Sequence, residues 1–385
     1  MNASSRTPRP TWSKPSAGSS PNTGASSMPS QVEWIESLSP WPQEFGLGRV
    51  RALLNELGEP QRAYPAIHVV GTNGKSTATR RAAAFLAVEG LRVGAYTSPH
   101  VSGWSERIQV DGEDVDFDTA IGRVRAAAER IGATQFETLT AAALTEFAVA
   151  EVDVAVVEAG LGGRLDATNV LDAGVVVLTN VSLDHTDVLG DTREQIAKEK
   201  LAVVTPGETV VVGEPEWEEL ARERSPARIV HTRDAGRTAA EAFLGRELRG
   251  EVDANLPGRL DFSGDNVFAG AHNPAGVDWL IARLPRNNYV ICAAILADKD
   301  ARSMVETLAA VGSSFVATQT ETERTLAADE LAQLAREFFA DVESVPDATT
   351  ALDRARERAR PDGAVLVTGS LYLLRDLSGR LETVR

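Results

Sequence analysis

The chain has one cysteine among its 385 residues, Cys292 in YVICAAIL. One thiol excludes an internal disulfide and a cysteine-built zinc site, and it fits a reducing compartment such as the cytoplasm. Its apolar neighbours make it a small buried residue on a strand. Basic runs are also missing: 39 Lys and Arg stand against 55 Asp and Glu, a net charge of −16. Nucleic acid and anionic membranes are therefore not expected as partners, and an anionic ligand has to be captured locally against the overall field. No apolar run approaches the roughly 18 residues of a membrane span. Internal repeats and a heptad seam are absent as well.

The length suffices for two domains with a core each, and 43% hydrophobic residues can fill both. Residues 1–30 differ from the rest. Ser, Pro, Gly, Thr and Asn dominate there, with Arg6, Arg9 and Lys14 but no acid. Such a tract buries too little apolar surface to order itself, so a disordered tail is expected. Its basic, serine-rich character resembles an organellar transit peptide, yet its prolines spoil an amphipathic helix and a secretory apolar region is missing. Met28 offers an alternative start.

Beyond the tail, LGRVRALLNELGEP reads as an amphipathic helix closing at Gly58 and Pro60. Strands and helices then alternate. AIHVV, RVGAYT, DVAVVEA, GVVVLTN and ETVVVG read as strands, with helices expected near Phe117–Ile131, Leu139–Ala150 and Thr192–Val204. Short β-branched runs alternating with such helices imply an α/β fold with a mostly parallel sheet covered on both faces. The polar, arginine-rich stretch from Ser225 to Asn255 lacks periodicity and is expected to be the domain junction. A second, smaller α/β unit is expected after it, with strands NNYVICAAIL, SSFVAT and GAVLVTGS and helices starting at Ala301, Ala327 and Ala348.

Chemistry concentrates at the expected strand ends. HVVGTNGKSTATRR runs from an apolar strand through two glycines into a helix, the pattern of a phosphate-cradling loop. Val69 stands where the first glycine of a full Walker spacing would be. Gly71 and Gly74 let backbone approach a phosphate, Lys75 can reach between phosphates, and Ser76 or Thr77 can offer Mg²⁺ a hydroxyl. YTSPH puts Ser98 and His100 at the end of the neighbouring strand, facing the same crevice. In VVEAGLGGRLDATN, Glu158 ends a buried strand, where it binds metal or orients water. Gly160, Gly162 and Gly163 then give close backbone, and Arg164, Asp166 and Asn169 offer charge and hydrogen bonds. TNVSLDHTDVLG repeats the arrangement with Asp184 and His185. Lys198, Glu199 and Lys200 in EQIAKEKLAVV read, on spacing alone, as a solvated helix face. Later in the chain, Arg259 in PGRLDF can grip a phosphate, His272 and Asn273 in AGAHNPAG precede a helix, and ADKD (Ala297–Asp300) lies where it can line the same cleft. The residues by themselves describe a Mg-nucleotide enzyme with its site between two α/β domains.

From Trp41 to Asp376, these segments in this order resemble the dihydrofolate synthase/folylpolyglutamate synthase family of the Mur ligase superfamily. The resemblance rests on LLNELGEPQ, HVVGTNGKST, YTSPHVSGWSERI, EAGLGGRLDATN, LDHTDVLGDT, EK, PGRLD, GAHNP, ADKD and TGSLYLLRDL. It implies an ATP-binding P-loop domain over 31–255 and a Rossmann-like C-terminal glutamate ligase domain over 256–385. It implies an ATP-dependent amide ligase, with two Mg²⁺ ions, that adds L-glutamate to dihydropteroate or a folate through an acyl phosphate. A monomer acting on small molecules is implied too. By the same resemblance Gly71, Thr72, Asn73, Gly74, Lys75, Ser76, Thr77, Arg259, His272 and Asn273 hold ATP. Ser76, Ser98, Glu158 and His185 surround Mg²⁺, and Lys200 matches a carbamylated lysine that binds a second metal, which replaces the solvated-face reading. Lys75, His185 and Lys200 are the catalytic set. Thr97, Pro99, His100, Arg107, Gly162, Arg164, Asp166 and Asn169 are assigned to substrate. The chain also departs from the family pattern: GKST replaces GKGS, EKLAVV replaces EKAGI, and Ala269 replaces the aspartate before GAHNP. Trp104-Ser105 precedes ERI where an aromatic-Asn pair is usual, and the His-Gln and Asn-Ala segment that helps hold adenine is not recognisable before PGR. Two alternatives stay open at this stage: the same chemistry on another carboxylate, and a nucleotide-binding protein without ligase activity.

Overall fold

The computed structural model describes residues 29–254, 256–285, 288–361 and 363–380. The expected disordered tail lies outside the described residues, apart from residues 29 and 30; Ser30 caps the helix Gln31–Ser37. Two sheets carry the fold. The first contains β1 (Ala66–Val70), β2 (Val93–Tyr96), β3 (Ile108–Val110), β4 (Glu113–Asp114), β5 (Val154–Glu158), β6 (Ala173–Leu178), β7 (Thr209–Val212) and β8 (Arg228–His231). Their order is β4-β3-β2-β5-β1-β6-β7-β8, parallel throughout except where β3 pairs with β2 and β4. β1 and β5 are buried along their whole length, which is why they read as unbroken apolar runs.

Helices close both faces of this sheet. Gly48–Glu56, Phe117–Ile131 and Gln135–Val149 build one core around Leu53, Tyr96, Ile121 and Phe147. On the other face Lys75–Val88 and Ala235–Leu244 cover Ile67, Val69, Val156 and Val177.

β8 and the helix Ala235–Leu244 correct the expectation of an irregular junction over Ser225–Asn255. β8 is an edge strand whose four residues are exposed or half-buried, so it shows no apolar run. The helix buries only Gly236, Ala239 and Ala240, because Gly236 sits against the backbone of Lys75–Val88. Its apolar stripe is therefore too small-sided to stand out. The passage between the sheets is confined to the later part of that stretch and just beyond it, between Leu244 and Asp261.

The second sheet contains β9 (Asp261–Ser263), β10 (Asn266–Phe268), β11 (Tyr289–Ala293), β12 (Gly312–Ala317), β13 (Val342–Ser344) and β14 (Ala364–Thr368) in the order β13-β12-β11-β14-β10-β9. Only β9 is antiparallel. Ala301–Leu308 and Ala328–Ala335 cover one face, and Ala348–Arg358 with Leu371–Asp376 the other. Cys292 is buried in β11, and burial pushes its thiol up to about 12.

Parallel order has a functional result. The C-terminal ends of β1, β2, β5 and β6 share one edge of the first sheet, and those of β10, β11 and β14 share one edge of the second. These are the ends that carry the segments singled out in the sequence.

Candidate functional site

A cavity of about 1570 Å³ runs between the two edges and is lined from both. Its floor is the loop after β1. Gly71 has φ +151°, and a Cβ there would lie 1.9 Å from Thr179 Oγ1, so the turn admits only glycine. The two residues after β6 hold the loop. Thr72 N donates to Asn180 O at 2.9 Å, Asn73 N to Asn180 Oδ1 at 2.8 Å, and Thr179 Oγ1 to Asn73 O at 2.8 Å. The helix Lys75–Val88 then begins with its N-terminus toward the cavity, the geometry that favours an anion.

Glu158, the last residue of β5, organises the polar centre. Its Oε1 accepts from Ser76 Oγ at 3.0 Å and lies 4.0 Å from Lys75 Nζ, and its Oε2 accepts from Ser98 N at 3.1 Å. Burial raises its pKa, while Lys75 and Arg259 pull the other way. Arg259 arrives from the other side of the cleft: its Nη2 donates to Ser76 Oγ at 2.8 Å, and its buried Nε has no partner among the described residues. The structure thus distinguishes the two hydroxyls: Ser76 meets Glu158, whereas Thr77 lines the cavity without such a contact.

Lys200 is almost wholly buried on the helix Arg193–Leu201, and its Nζ donates to Gly71 O at 2.7 Å. Burial first, and the charge of Lys75 second, lower its pKa to about 7. Gly163 lets the GLGG loop pack on this helix, since a Cβ there would lie 2.6 Å from Lys200 O. Asp184 and His185 face a side chain from the second half. Lys299 Nζ lies 2.5 Å from Asp184 Oδ1 and 3.1 Å from His185 Nε2. Lys299 and the neighbouring histidines hold the Asp184 carboxyl below the usual range despite its burial. His185 is held to about 4, chiefly by burial. Asn273 caps the helix Pro274–Ile281, and its Nδ2 donates to Asn73 Oδ1 at 3.0 Å and to Asp184 Oδ2 at 3.1 Å. His272 Nδ1 bonds Gly270 O at 2.9 Å, and its Nε2 lies 3.9 Å from Asp184.

The remaining candidates separate. Pro99, His100, Arg107, Gly162 and Asp166 line the cavity. Asp166 spends its carboxylate on its own loop, accepting from Leu161 N at 2.7 Å and Thr168 N at 3.0 Å. Arg164 and Asn169 lie outside the cavity lining: Arg164 pairs with Glu199 at 2.9 Å, and Asn169 Nδ2 holds Arg164 O at 2.9 Å. Thr97 points into the protein, where Arg80 Nη2 donates to its Oγ1 at 3.2 Å. Ala269 is buried beside the cavity, with its N donating to Val367 O at 3.0 Å. At one end the cleft is apolar, with Trp41 and Phe45 exposed and in ring contact at 6.3 Å, and Phe136 and Leu165 near the same cavity.

Sequence reasoning missed the Thr179–Asn180 clamp, although a polar pair directly after GVVVL was its available signal. It named the ADKD segment but not Lys299 within it. No group of three or more His, Cys, Asp or Glu able to hold a metal occurs among the described residues. One carboxylate plus one hydroxyl beside a phosphate loop is instead the sparse oxygen set that Mg²⁺ uses with a nucleotide, so Ser76 and Glu158 fit that ion.

Residues 69–243 match the Mur ligase middle domain, and residues 258–371 match the glutamate ligase domain of Mur ligases. Dihydrofolate synthase/folylpolyglutamate synthase of Escherichia coli K12 is 31% identical over 90% of this chain and 94% of its own length. The structure of Mycobacterium tuberculosis folylpolyglutamate synthase complexed with ADP and AMPPCP superposes with a TM-score of 0.82 at 30% identity, covering 91% of this chain and 98% of that one. A bifunctional folylpolyglutamate synthase/dihydrofolate synthase with Mn, AMPPNP and L-glutamate bound gives 0.79 at 28%, covering 92% and 99%. With the loop, the clamp and both halves of the cleft in place, the chain belongs to the dihydrofolate synthase/folylpolyglutamate synthase family of Mur ligases.

Proposed function

We propose that this chain is an ATP-dependent ligase that joins the amine of L-glutamate to a carboxylate of dihydropteroate or a reduced folate. The observation that carries the reading is the meeting of Lys75, Ser76 and Glu158 with Arg259 at one phosphate loop. The loop's backbone N–H groups and Lys75 bind the triphosphate, and Arg259, planar and always charged, grips it from the second half. An oxygen of the acceptor carboxylate attacks the γ-phosphorus, and the bond to the bridging oxygen breaks, so that ADP leaves. The glutamate amine then attacks the acyl carbon, and phosphate departs with the electron pair of the C–O bond. Ser76 and Glu158 would hold Mg²⁺, which neutralises phosphate charge when bound. The apolar end at Trp41 and Phe45 suits the flat rings of a pterin-bearing acceptor.

Lys200 has the setting that carbamylation requires: a buried amine, uncharged in good part near neutral pH, beside the loop. Its carbamate would supply the donor for a second ion, with His185 close by. Both halves of the cleft come from one chain, which suits a monomer. No helix among the described residues is long and apolar enough to cross a membrane, and the single buried cysteine suits the cytoplasm.

The test is phosphate release from Mg-ATP, with and without L-glutamate and with dihydropteroate or tetrahydrofolate. Release that depends on both co-substrates is expected. Stimulation by neither acceptor would remove the folate assignment, and stimulation by a different acid would move the acceptor. Lys200→Ala should lose about a hundredfold in turnover, as for a misplaced catalytic group. Turnover like the parent enzyme's would eliminate the carbamate.

A further inference from the structure

Lys75, Ser76, Glu158 and Arg259 meet at the phosphate loop, but one buried cation on the same helix does not line the cavity at all. Arg80 lies on the helix Lys75–Val88, about 7.5 Å further along its axis than Lys75. Its Nη2 donates to Thr97 Oγ1 at 3.2 Å and to Glu106 O, while its Nε and Nη1 have no partner among the described residues. Burial lowers its pKa, and Glu106, Asp114 and Glu158 oppose this by charge alone, without a hydrogen bond to it. A buried guanidinium short of partners is costly, and a methionine would fill the space without that cost. Packing alone therefore does not account for an arginine here.

The two oxygens that Arg80 grips lie at opposite ends of one loop. Thr97 follows β2 and Glu106 stands just before β3, and Thr97 N donates to Arg107 O at 2.9 Å across the base. Inside the loop, Glu106 Oε2 accepts from Val101 N at 3.0 Å and from Ser102 N at 2.7 Å, so the segment is knotted on itself. Its outer side gives Ser98, Pro99, His100, Trp104 and Arg107 to the cavity, whereas Thr97 and Glu106 do not line it. Strand pairing fixes the base of the loop within the sheet. Arg80 ties both of its ends to the helix that starts at the phosphate loop. A further link, from Ser76 Oγ to Ser98 O, is long at 3.5 Å.

We propose that Arg80 is a positioning residue for phosphoryl transfer: by gripping Thr97 and Glu106 it sets loop 97–107 in register with the phosphate loop, so that an acceptor carboxylate held along that loop lies in line with the γ-phosphorus. This role rests on the ligase reading and adds to it the residue that aligns the two reactants. One and a half turns of helix are stiff, so the two loops move as one piece when joined through Arg80. In-line attack tolerates little error, and a displacement of about 1 Å costs about a hundredfold in rate. The loop also rests on the far wall of the cleft, where Val101 shares a buried cluster with Leu371 and Leu374.

The test compares variants with the parent chain in amide formation from Mg-ATP, L-glutamate and dihydropteroate or tetrahydrofolate. Arg80→Met should lower kcat about a hundredfold. Its ADP affinity by calorimetry and its KM for L-glutamate should stay within about twofold of the parent's. Its thermal midpoint should equal or exceed the parent's, since a buried charge short of partners is gone. Arg80→Lys should recover part of the rate. Thr97→Val removes one grip and should cost about fivefold in kcat, and the double variant should be no slower than Arg80→Met alone. Parent-like kcat in a folded Arg80→Met, or losses that multiply in the double variant, overturns the proposal. So does an ADP affinity that falls in step with kcat, which would make Arg80 a support of the phosphate loop only. Should Arg80→Met not fold, Thr97→Val decides: the stated loss at the parent's midpoint supports the role, and parent-like kcat overturns it. A parent chain without acceptor-dependent turnover strikes the ligase reading, and this role with it.

Discussion

Lys198 and Lys200 stand two residues apart on one helix in opposite surroundings. Lys198 is exposed and pairs with Glu194 at 2.5 Å, while Lys200 is buried on Gly71 O. Spacing cannot separate them, because the difference lies in what packs against each face. His68 makes a similar point. It stands in the middle of β1, buried, with Nε2 2.8 Å from Thr168 Oγ1, and burial lowers its pKa to about 4. The unfolded chain takes up this proton near pH 6.5, the native state only near 4. Stability contributed by neutral His68 is therefore complete above about pH 6.5 and lost as pH falls toward 4, up to about 3 kcal/mol. In urea titrations across this window, His68→Gln should show a shallower pH dependence than the parent by about one proton. Equal slopes would mean that the imidazole titrates normally.

The GLGG loop lies directly on the backbone of the helix Arg193–Leu201. A Cβ on Gly163 would press on the backbone oxygens of Lys200 and Glu199, 2.6 and 2.8 Å away, and backbone cannot swing aside. Gly163→Ala should cost about 1–3 kcal/mol in stability, as overpacking does. It should lower turnover by more than that suggests, on the order of a hundredfold, because Lys200 would be displaced from the loop. Unfolding and turnover measured on one preparation decide this, and a stability loss with full activity would show that the contact is only structural. At this scale the strands were legible wherever they are buried on both faces, as in AIHVV and DVAVVEA. Edge strand β8 and the alanine-lined helix Ala235–Leu244 were not, since neither carries a large apolar signal.

Across the whole molecule, the two sheets are joined by polar contacts at the cleft. Asn73 and Asn273 exchange amide hydrogen bonds at 3.1 and 3.0 Å, and Lys299 inserts a nearly buried ammonium against Asp184. Lys299→Met leaves that carboxylate without its cation, a loss of about 3–5 kcal/mol while the halves stay together. Opening the cleft rehydrates Asp184, so the nucleotide-free variant should have a larger radius of gyration by small-angle X-ray scattering. A radius and thermal midpoint equal to the parent's would show that Lys299 does not hold the halves together.

GTNGKST, EAGLGGRLDATN, LDH, PGRLD and GAHNP are local patterns, and the sequence alone was enough to single them out as candidate site segments at strand ends and helix starts. Turn chemistry and helix capping act within a few residues, so they survive in one dimension. Which of those residues meet was decided by the tertiary structure. Arg259 reaches Ser76 across 183 positions of chain, Lys200 reaches Gly71 across 129, while Arg164 pairs with Glu199 and Asn169 holds its own loop. Long-range pairing and burial depend on how two sheets present their edges to each other, and no run of neighbouring residues encodes that.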